Sequence, residues 1–385
     1  MSTLLRIGID ASNLRIGGGV THLIEILDNA ELDKHGIEQI VVWGCIETLA
    51  ALQDRPWLLK VSIGSVNKGY VRRVLWQKLH LSAAVKQAKC DILFVPGGNS
   101  MGGFQPTVTM SRNMLPFQYR ELFRYGFSFM SFRLLVLRQL QSFSFRAADG
   151  MIFLTNYSRN AVLKVTGKLR GRIAVIPHGM NIRFARPPKP QLPITEYAKD
   201  HPFRLIYVSI IDVYKHQWQV VEAVDLLRKE GFPVELELIG PSYPSALRRF
   251  EQAMITANDS ASWAHYRGKV PYTQLNDYYA AADLGIFASS CENMPNILLE
   301  TMAAGLPVAC SNRGPMPELL GDAGVYFDPE SAVEIAAAIR AYLLSPELRA
   351  DHARKSFELS QHYSWKRCAD QTLAFLSETA HAYPH

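Results

Sequence analysis

Two glutamates eight positions apart, Glu292 and Glu300, bracket the start of an expected helix. Leu284 to Ala288 is a short apolar run of the kind buried in a parallel sheet. Small and polar residues follow, and then Pro295, which suits a first helical turn. Asn296 to Ala304 has helical composition, Gly305 and Pro307 stop it, and Val308 to Cys310 reads as the next strand. The helix start around Met294, Pro295 and Asn296 offers unpaired N–H groups and a positive dipole end, which suit a phosphate. Glu292 lies in the loop. Glu300 lies four residues into the helix, roughly 6 Å along its axis. That offset matches the distance from a phosphate to the ribose of the same nucleotide. A carboxylate accepts two hydroxyl hydrogen bonds, which is what a ribose diol or a sugar offers. Without that helix start, the same pair reads as a solvated loop residue and a surface helix residue.

The chain that must position this pair has 385 residues, enough for two domains of ordinary size. Hydrophobic residues at 48% and charged residues at 20% fit a soluble globular protein. Cys45, Cys90, Cys291, Cys310 and Cys368 show no metal-ligand or disulfide spacing, which points to a reducing cytosol. A net charge of +6 is mild, and no run of 18 apolar residues occurs. The amino terminus runs almost directly into a strand, so no signal peptide is expected.

Strands are expected at 4–10, 40–42, 92–95, 107–110, 150–154 and 173–176, then at 204–209, 236–240, 284–288 and 308–310. Helices fall between them, including a long basic one over 70–89. Alternation of this kind implies doubly wound parallel sheets, whose ligands sit at the carboxyl ends of the strands. Asn99, Arg112 and Asn113 fall on that edge. So does Gly17-Gly18-Gly19 after the first strand, where glycine lets a ligand approach the backbone. The spacing is not that of a dinucleotide-binding fingerprint, so a nicotinamide-dependent oxidoreductase is disfavoured. His178 follows the 173–176 strand and reads either as a site residue or as a packed lone histidine. Four prolines between Arg186 and Pro202 mark a linker.

The stretch Glu292 to Glu300 closely resembles the Glu, seven residues, Glu hallmark of the retaining glycosyltransferases of family 4. Met302-Ala303-Ala304-Gly305-Leu306-Pro307-Val308 and Gly314-Pro315 to Glu318 resemble the family's continuation. The resemblance implies a GT-B fold: α/β, with two Rossmann-like doubly wound domains facing a deep interdomain cleft. The first would span 1–185, with a C-terminal helix at about 365–385 crossing back to it. Residues 186–202 would be the linker, and 203–364 the nucleotide-sugar domain. The implied activity is retaining transfer of a hexose from a nucleoside diphosphate sugar to a hydroxyl, as in cell-surface polysaccharide or glycolipid assembly. Glu292 would contact donor-sugar hydroxyls and Glu300 the ribose. Lys215 fits the family's lysine that neutralises the pyrophosphate. Ser209 or Ile210 stands where relatives carry an arginine, and Lys269 and Arg267 are the nearby cations to consider as substitutes. Val270 fits the segment that abuts the base, Gly18 and Gly19 the glycine-rich loop facing the cleft, and His178 the turn that closes the first domain. Many relatives carry a histidine where Arg112 or Asn113 stands.

Between Phe117 and Arg146 nine Phe and Tyr residues alternate with five arginines, and Glu121 is the only acid. Two readings fit: an interfacial membrane contact that suits a lipid-anchored acceptor, or a core helix with solvated arginines. Nucleic acid is not expected as a partner, since no recognised module accompanies the patch. No Asp-x-Asp pair occurs, so neither a metal nor another cofactor is expected beyond the nucleotide-sugar co-substrate. The expected location is cytoplasmic, at the inner face of the membrane. A sugar-nucleotide epimerase of the same fold and a non-catalytic nucleotide-sugar binder are the alternatives.

Overall fold

The computed structural model describes residues 4–15, 17–64, 70–100, 102–257 and 263–384. They form two compact units. The first comprises Met1–Phe117, Phe132–Gly179 and Ser364–His385; the second comprises Gln118–Ser131 and Met180–Tyr363.

The first unit holds a seven-stranded, wholly parallel sheet. Its strands are β1 (Leu5–Asp10), β2 (Ile37–Gly44), β3 (Leu58–Ser62), β4 (Ile92–Val95), β5 (Thr107–Met110), β6 (Gly150–Phe153) and β7 (Arg172–Val175). They lie in the order β3-β2-β1-β4-β5-β6-β7. Around them come helices α1 (Gly18–Asp28), α2 (Ile46–Ala50), α3 (Tyr70–Leu79), α4 (Leu81–Gln87), α5 (Tyr119–Leu122), α6 (Phe129–Ala147) and α7 (Asn156–Thr166). Of these, α5 and the first turn of α6 fall in the second unit. Every residue of β4, β5 and β6 is buried, as parallel strands covered on both faces must be. The expected helix over 70–89 is interrupted at His80, whose φ is −120°. The break lets Leu81 and Val85 enter a core with Val41, Trp43, Leu93 and Val95. It also seats buried Gln77, whose amide donates to the Asp10 carboxylate at 2.6 Å.

The second unit holds a six-stranded parallel sheet in the order β10-β9-β8-β11-β12-β13. Its strands are β8 (Phe203–Val208), β9 (Val234–Ile239), β10 (Ala264–Tyr266), β11 (Leu284–Phe287), β12 (Val308–Ser311) and β13 (Gly324–Phe327). Its helices are α8 (Gln217–Lys229), α9 (Pro244–Ala257), α10 (Leu275–Ala281), α11 (Asn296–Ala303), α12 (Met316–Leu320), α13 (Ala332–Leu344) and α14 (Pro346–Ser360). The last helix, α15 (Trp365–Ala382), starts at Ser364, whose hydroxyl accepts from the Arg367 N–H, and packs on α1 in the first unit.

Both sheets reverse strand order beside their first strand, between β1 and β4 and between β8 and β11. Such a reversal splays the following loops and opens a crevice at the carboxyl ends. The proline-rich stretch is not a free spacer. Arg186 donates its N–H to Ala303 O, and Arg349 reaches Gln191 and Leu192, so the stretch is bound to the second unit. The division falls instead at Gly179–Met180.

Candidate active site

In the second unit the two loops after the switch-point strands carry the candidate residues. The first leaves β8 and runs from Ser209 to His216; the second leaves β11 and runs from Ala288 to Pro295. They are stitched together by main chain, since the Ser290 N–H donates to Tyr214 O at 2.9 Å. The Tyr207 hydroxyl donates to Lys215 O at 2.8 Å and fixes the first loop from below. His216 ends that loop in a left-handed conformation, φ 53°, and its Nε2 lies 2.9 Å from Ser290 Oγ. Burial pulls the His216 imidazole down to about 4, and nearby Arg124 opposes its charge further, so it is neutral at physiological pH.

This stitching brings Lys215 and Glu292 together as an ion pair, both mostly shielded from solvent. The ammonium also lies 5.2 Å from the Tyr214 ring centre and 5.3 Å from that of Phe287. A Cβ at Gly314, whose φ is 61°, would lie in ordinary contact with Met316 at 3.4 Å and with the Glu292 nitrogen at 3.8 Å.

Next to this pair α11 begins without a side-chain cap at Pro295. Met294 and Pro295 are buried, and the Asn296 Oδ1 is buried without a partner among the described residues. Glu300, one turn in, is 4% exposed. Its Oε1 accepts from the Tyr272 hydroxyl at 2.7 Å, and its Oε2 is buried and unpartnered among the described residues. Burial raises the carboxyl to about 7, against the opposing Tyr272 hydrogen bond and the Arg183 charge. Arg183 in turn stacks on Tyr272, 4.8 Å from its ring centre. A carboxylate with one open oxygen, held over an aromatic and a cation, is suited to accept hydroxyl groups.

Ser209 is buried at the end of β8, and its hydroxyl donates to Ile210 O at 3.2 Å. Gly240 closes on it: a Cβ there would lie 2.1 Å from Ser209 O. Val270 is half-buried just beyond β10. Arg267 is not free to replace the missing arginine, because it is forked onto Glu237 at 2.8 Å through both Nε and an Nη. Lys269 is exposed.

Several contributors are not evident from the sequence. Glu121 and Tyr125 belong to this unit. Glu121 is buried and accepts from Ser290 Oγ at 2.6 Å, and the Tyr125 hydroxyl donates to Asp212 Oδ1 at 3.1 Å. Arg124 bridges Glu121 and Glu330. The one signal for Glu121 is its being the only acid in an arginine-rich stretch. Nothing in the sequence marks Tyr272.

In the first unit the remaining candidates share the carboxyl edge of the sheet. Gly18 and Gly19 open α1 after the β1 loop, where Gly17 has φ 82°. A side chain at Gly19 would meet Leu14 at 2.9 Å, so glycine lets Leu14 and Arg112 close on the helix start. Arg112 lies against that start, and burial pulls its guanidinium down to about 10. Asn113 Oδ1 accepts from the Leu115 N–H at 3.0 Å, a local turn. Asn99 Oδ1 is buried without a partner among the described residues. His178 packs against His22, ring centres 4.8 Å apart, and against Trp365 at 5.6 Å. Burial and Arg112 drive it down to about 3, so it is a neutral, packed imidazole. Among the described residues no group of three or more His, Cys, Asp or Glu forms a candidate metal site.

Residues 202–345 match the family model described as "Glycosyl transferases group 1". Over 236 residues the chain is 26% identical to O-antigen chain mannosyltransferase B of Escherichia coli. That match covers 60% of this chain and 61% of the relative, less than two thirds of its length. Among solved structures, sucrose-phosphate synthase from Thermosynechococcus elongatus superposes with a TM-score of 0.75 at 16% identity, covering 96% of this chain and 97% of that one. Anabaena Alr3699/HepE in complex with UDP-glucose gives 0.66 at 17% identity, covering 96% and 98%. Over residues 202–345 the chain is therefore similar to the group 1 glycosyl transferases, and its two parallel-sheet α/β units match solved GT-B glycosyltransferase structures.

Proposed function

We propose that the protein is a retaining glycosyltransferase of the hexosyltransferase type. It moves a sugar from a nucleoside diphosphate sugar, with UDP- and GDP-sugars as the donors to try first, to a hydroxyl of a glycan or lipid-linked acceptor. The observation that carries this reading is the junction of Lys215 and Glu292 beside the uncapped start of α11. A departing pyrophosphate needs positive charge that is already in place, and a cation with a helix N-terminus supplies it. On this reading Lys215 and the backbone around Met294 to Asn296 take the diphosphate. Glu300 takes the ribose with its open oxygen, Glu292 takes donor-sugar hydroxyls, and the backbone beside Val270 meets the base. Ser209 leaves the diphosphate with one cation fewer than in the family pattern, so Lys215 carries more of the leaving-group charge. Gly18, Gly19, Asn99, Arg112 and Asn113 form the corresponding edge of the first unit. No side chain here is assigned as nucleophile or general base.

The reaction needs no metal ion on this reading, since a lysine and a helix start do the work of a divalent cation. EDTA should leave turnover intact; a loss restored only by Mg²⁺ or Mn²⁺ would overturn that part. The Anabaena protein, solved in complex with UDP-glucose, supports a sugar-nucleotide donor, and the O-antigen mannosyltransferase supports glycan assembly. The decisive experiment is a thermal-shift screen against nucleoside diphosphates and then UDP- and GDP-sugars, followed by product analysis with and without acceptor. Donor-dependent transfer with the anomeric configuration kept supports the reading. Donor isomerised or hydrolysed at the same rate without acceptor would replace it with an epimerase, and binding with no turnover would replace it with a binder.

A further inference from the structure

Helix α6 turns an apolar stripe toward water. Phe129, Phe132 and Phe143 are 80%, 63% and 72% exposed, and Val136 is exposed with them. At 100° per residue these four fall within an arc of about 60°. The turn before them adds Phe127, which is fully exposed. The inward face carries Ser131, Arg138, Gln141, Ser142 and Ser144 beside Leu134 and Phe145, all buried. Arg138 is accommodated there by donating to Pro116 O at 3.1 Å. Each exposed phenylalanine leaves on the order of 150 Å² of apolar surface in water. A continuous stripe of that kind marks a surface that something else covers.

The charge around the stripe selects the occupant. Between Glu121 and Asp149 the chain has four arginines and no acidic residue. Arg133 and Arg146 are exposed on either side of the stripe. Phenylalanines bordered by arginines, with acids absent, match the boundary of an anionic bilayer: rings enter the acyl region while guanidinium groups meet phosphates. Among the described residues no helix is long and apolar enough to cross a membrane. The helix, about 28 Å long, is therefore suited to lie on the surface. We propose that α6 and the turn before it dock, stripe inward, on an anionic lipid bilayer. Resting on the proposed transfer activity, this deepens it: the acceptor is one presented at the membrane, that is, lipid-linked.

The test is co-sedimentation of the full chain with vesicles of phosphatidylcholine alone or mixed with phosphatidylglycerol, without donor or acceptor. The wild type should sediment with the anionic vesicles and roughly tenfold less with neutral ones. A variant with Phe129→Ser, Phe132→Ser and Phe143→Ser changes only exposed positions, so its melting temperature should be unchanged. It should lose binding by at least about tenfold, and Arg133→Glu should weaken binding to anionic vesicles alone. Equal sedimentation of wild type and triple variant, or a wild type that stays in the supernatant, overturns the proposal. So does a wild-type dimer in solution that the triple variant abolishes without any vesicle binding, which would assign the stripe to a second copy. Because binding is read without substrate, failed turnover would strike the transfer reading and leave this one standing.

Discussion

Lys215 and Glu292 are 77 residues apart in sequence and meet as an ion pair because the strands that carry them, β8 and β11, are neighbours at the point where the sheet reverses. The pair neutralises itself when no ligand is present. A buried cation without a counter-charge would carry a desolvation penalty, and the glutamate offsets it. On the proposed reading, donor binding exchanges partners: Lys215 turns to the diphosphate and Glu292 is released toward the sugar.

That exchange gives the first prediction. Glu292→Gln removes a negative charge beside the phosphate position and frees Lys215. Free nucleoside diphosphate should bind more tightly, by about tenfold or ~1.4 kcal/mol, while sugar transfer slows. Calorimetric titration with UDP and GDP checks it. Weaker diphosphate binding in the variant would show that Glu292 holds Lys215 in its working position rather than competing for it.

Lys215→Ala should act on the chemical step. A contact to the leaving diphosphate strengthens as charge develops, so its loss falls on the transition state. Transfer should slow by about a hundredfold or more, ~3 kcal/mol. Steady-state kinetics with saturating donor checks it, and near-normal kcat would remove Lys215 from the mechanism.

Glu300 links pH to binding and to stability with opposite signs. Burial raises its folded value from 4.5 to about 7. Between those values the folded state holds a proton that the unfolded chain has released. Its contribution to stability is therefore full below 4.5 and is lost as pH rises through 7. Accepting two ribose hydroxyls needs the ionised form, so donor affinity should rise through the same pH. Glu300→Gln should raise the melting temperature by a few degrees above pH 7 and leave it unchanged below 4.5. It should also weaken donor binding and abolish its pH dependence. Melting and binding curves across pH test both signs at once.

The central elements of both sheets were legible because strands buried on both faces read as plain apolar runs, as Ile92–Val95 and Leu284–Phe287 do. The edge strands Leu58–Ser62 and Gly324–Phe327 were missed. Each has one side open, and their half-exposed residues alternate too weakly to stand out. The Glu292 and Glu300 spacing was readable because both sit on one strand–loop–helix unit. Tyr272 was not, since only the fold carries it from before α10 to Glu300 on α11. The 117–146 stretch follows the core reading in part. Phe117 and Phe145 stack in the core with ring centres 5.8 Å apart, whereas Phe129, Phe132 and Phe143 face outward. No local pattern could have assigned Glu121 to the second unit, because its partners lie beyond residue 280 or on its own turn.

That assignment of Glu121 yields the last prediction. Its carboxylate holds Ser290, two residues before Glu292, while Tyr125 four residues later holds Asp212, three before Lys215. Gln118–Ser131 thus grips both working loops without reaching the Lys215–Glu292 pair itself, which makes Glu121 a positioning residue. Glu121→Gln keeps the shape but loses the charge-assisted bond to Ser290, and it leaves Arg124 with Glu330 as its remaining partner. Stability should fall by about 1–3 kcal/mol. The informative readout is the split between kinetic constants. A loop displaced from its working geometry should lower kcat by roughly tenfold with little change in donor KM, and Glu121→Asp should restore part of the loss. A lower melting temperature with kcat unchanged would make Glu121 a purely structural anchor.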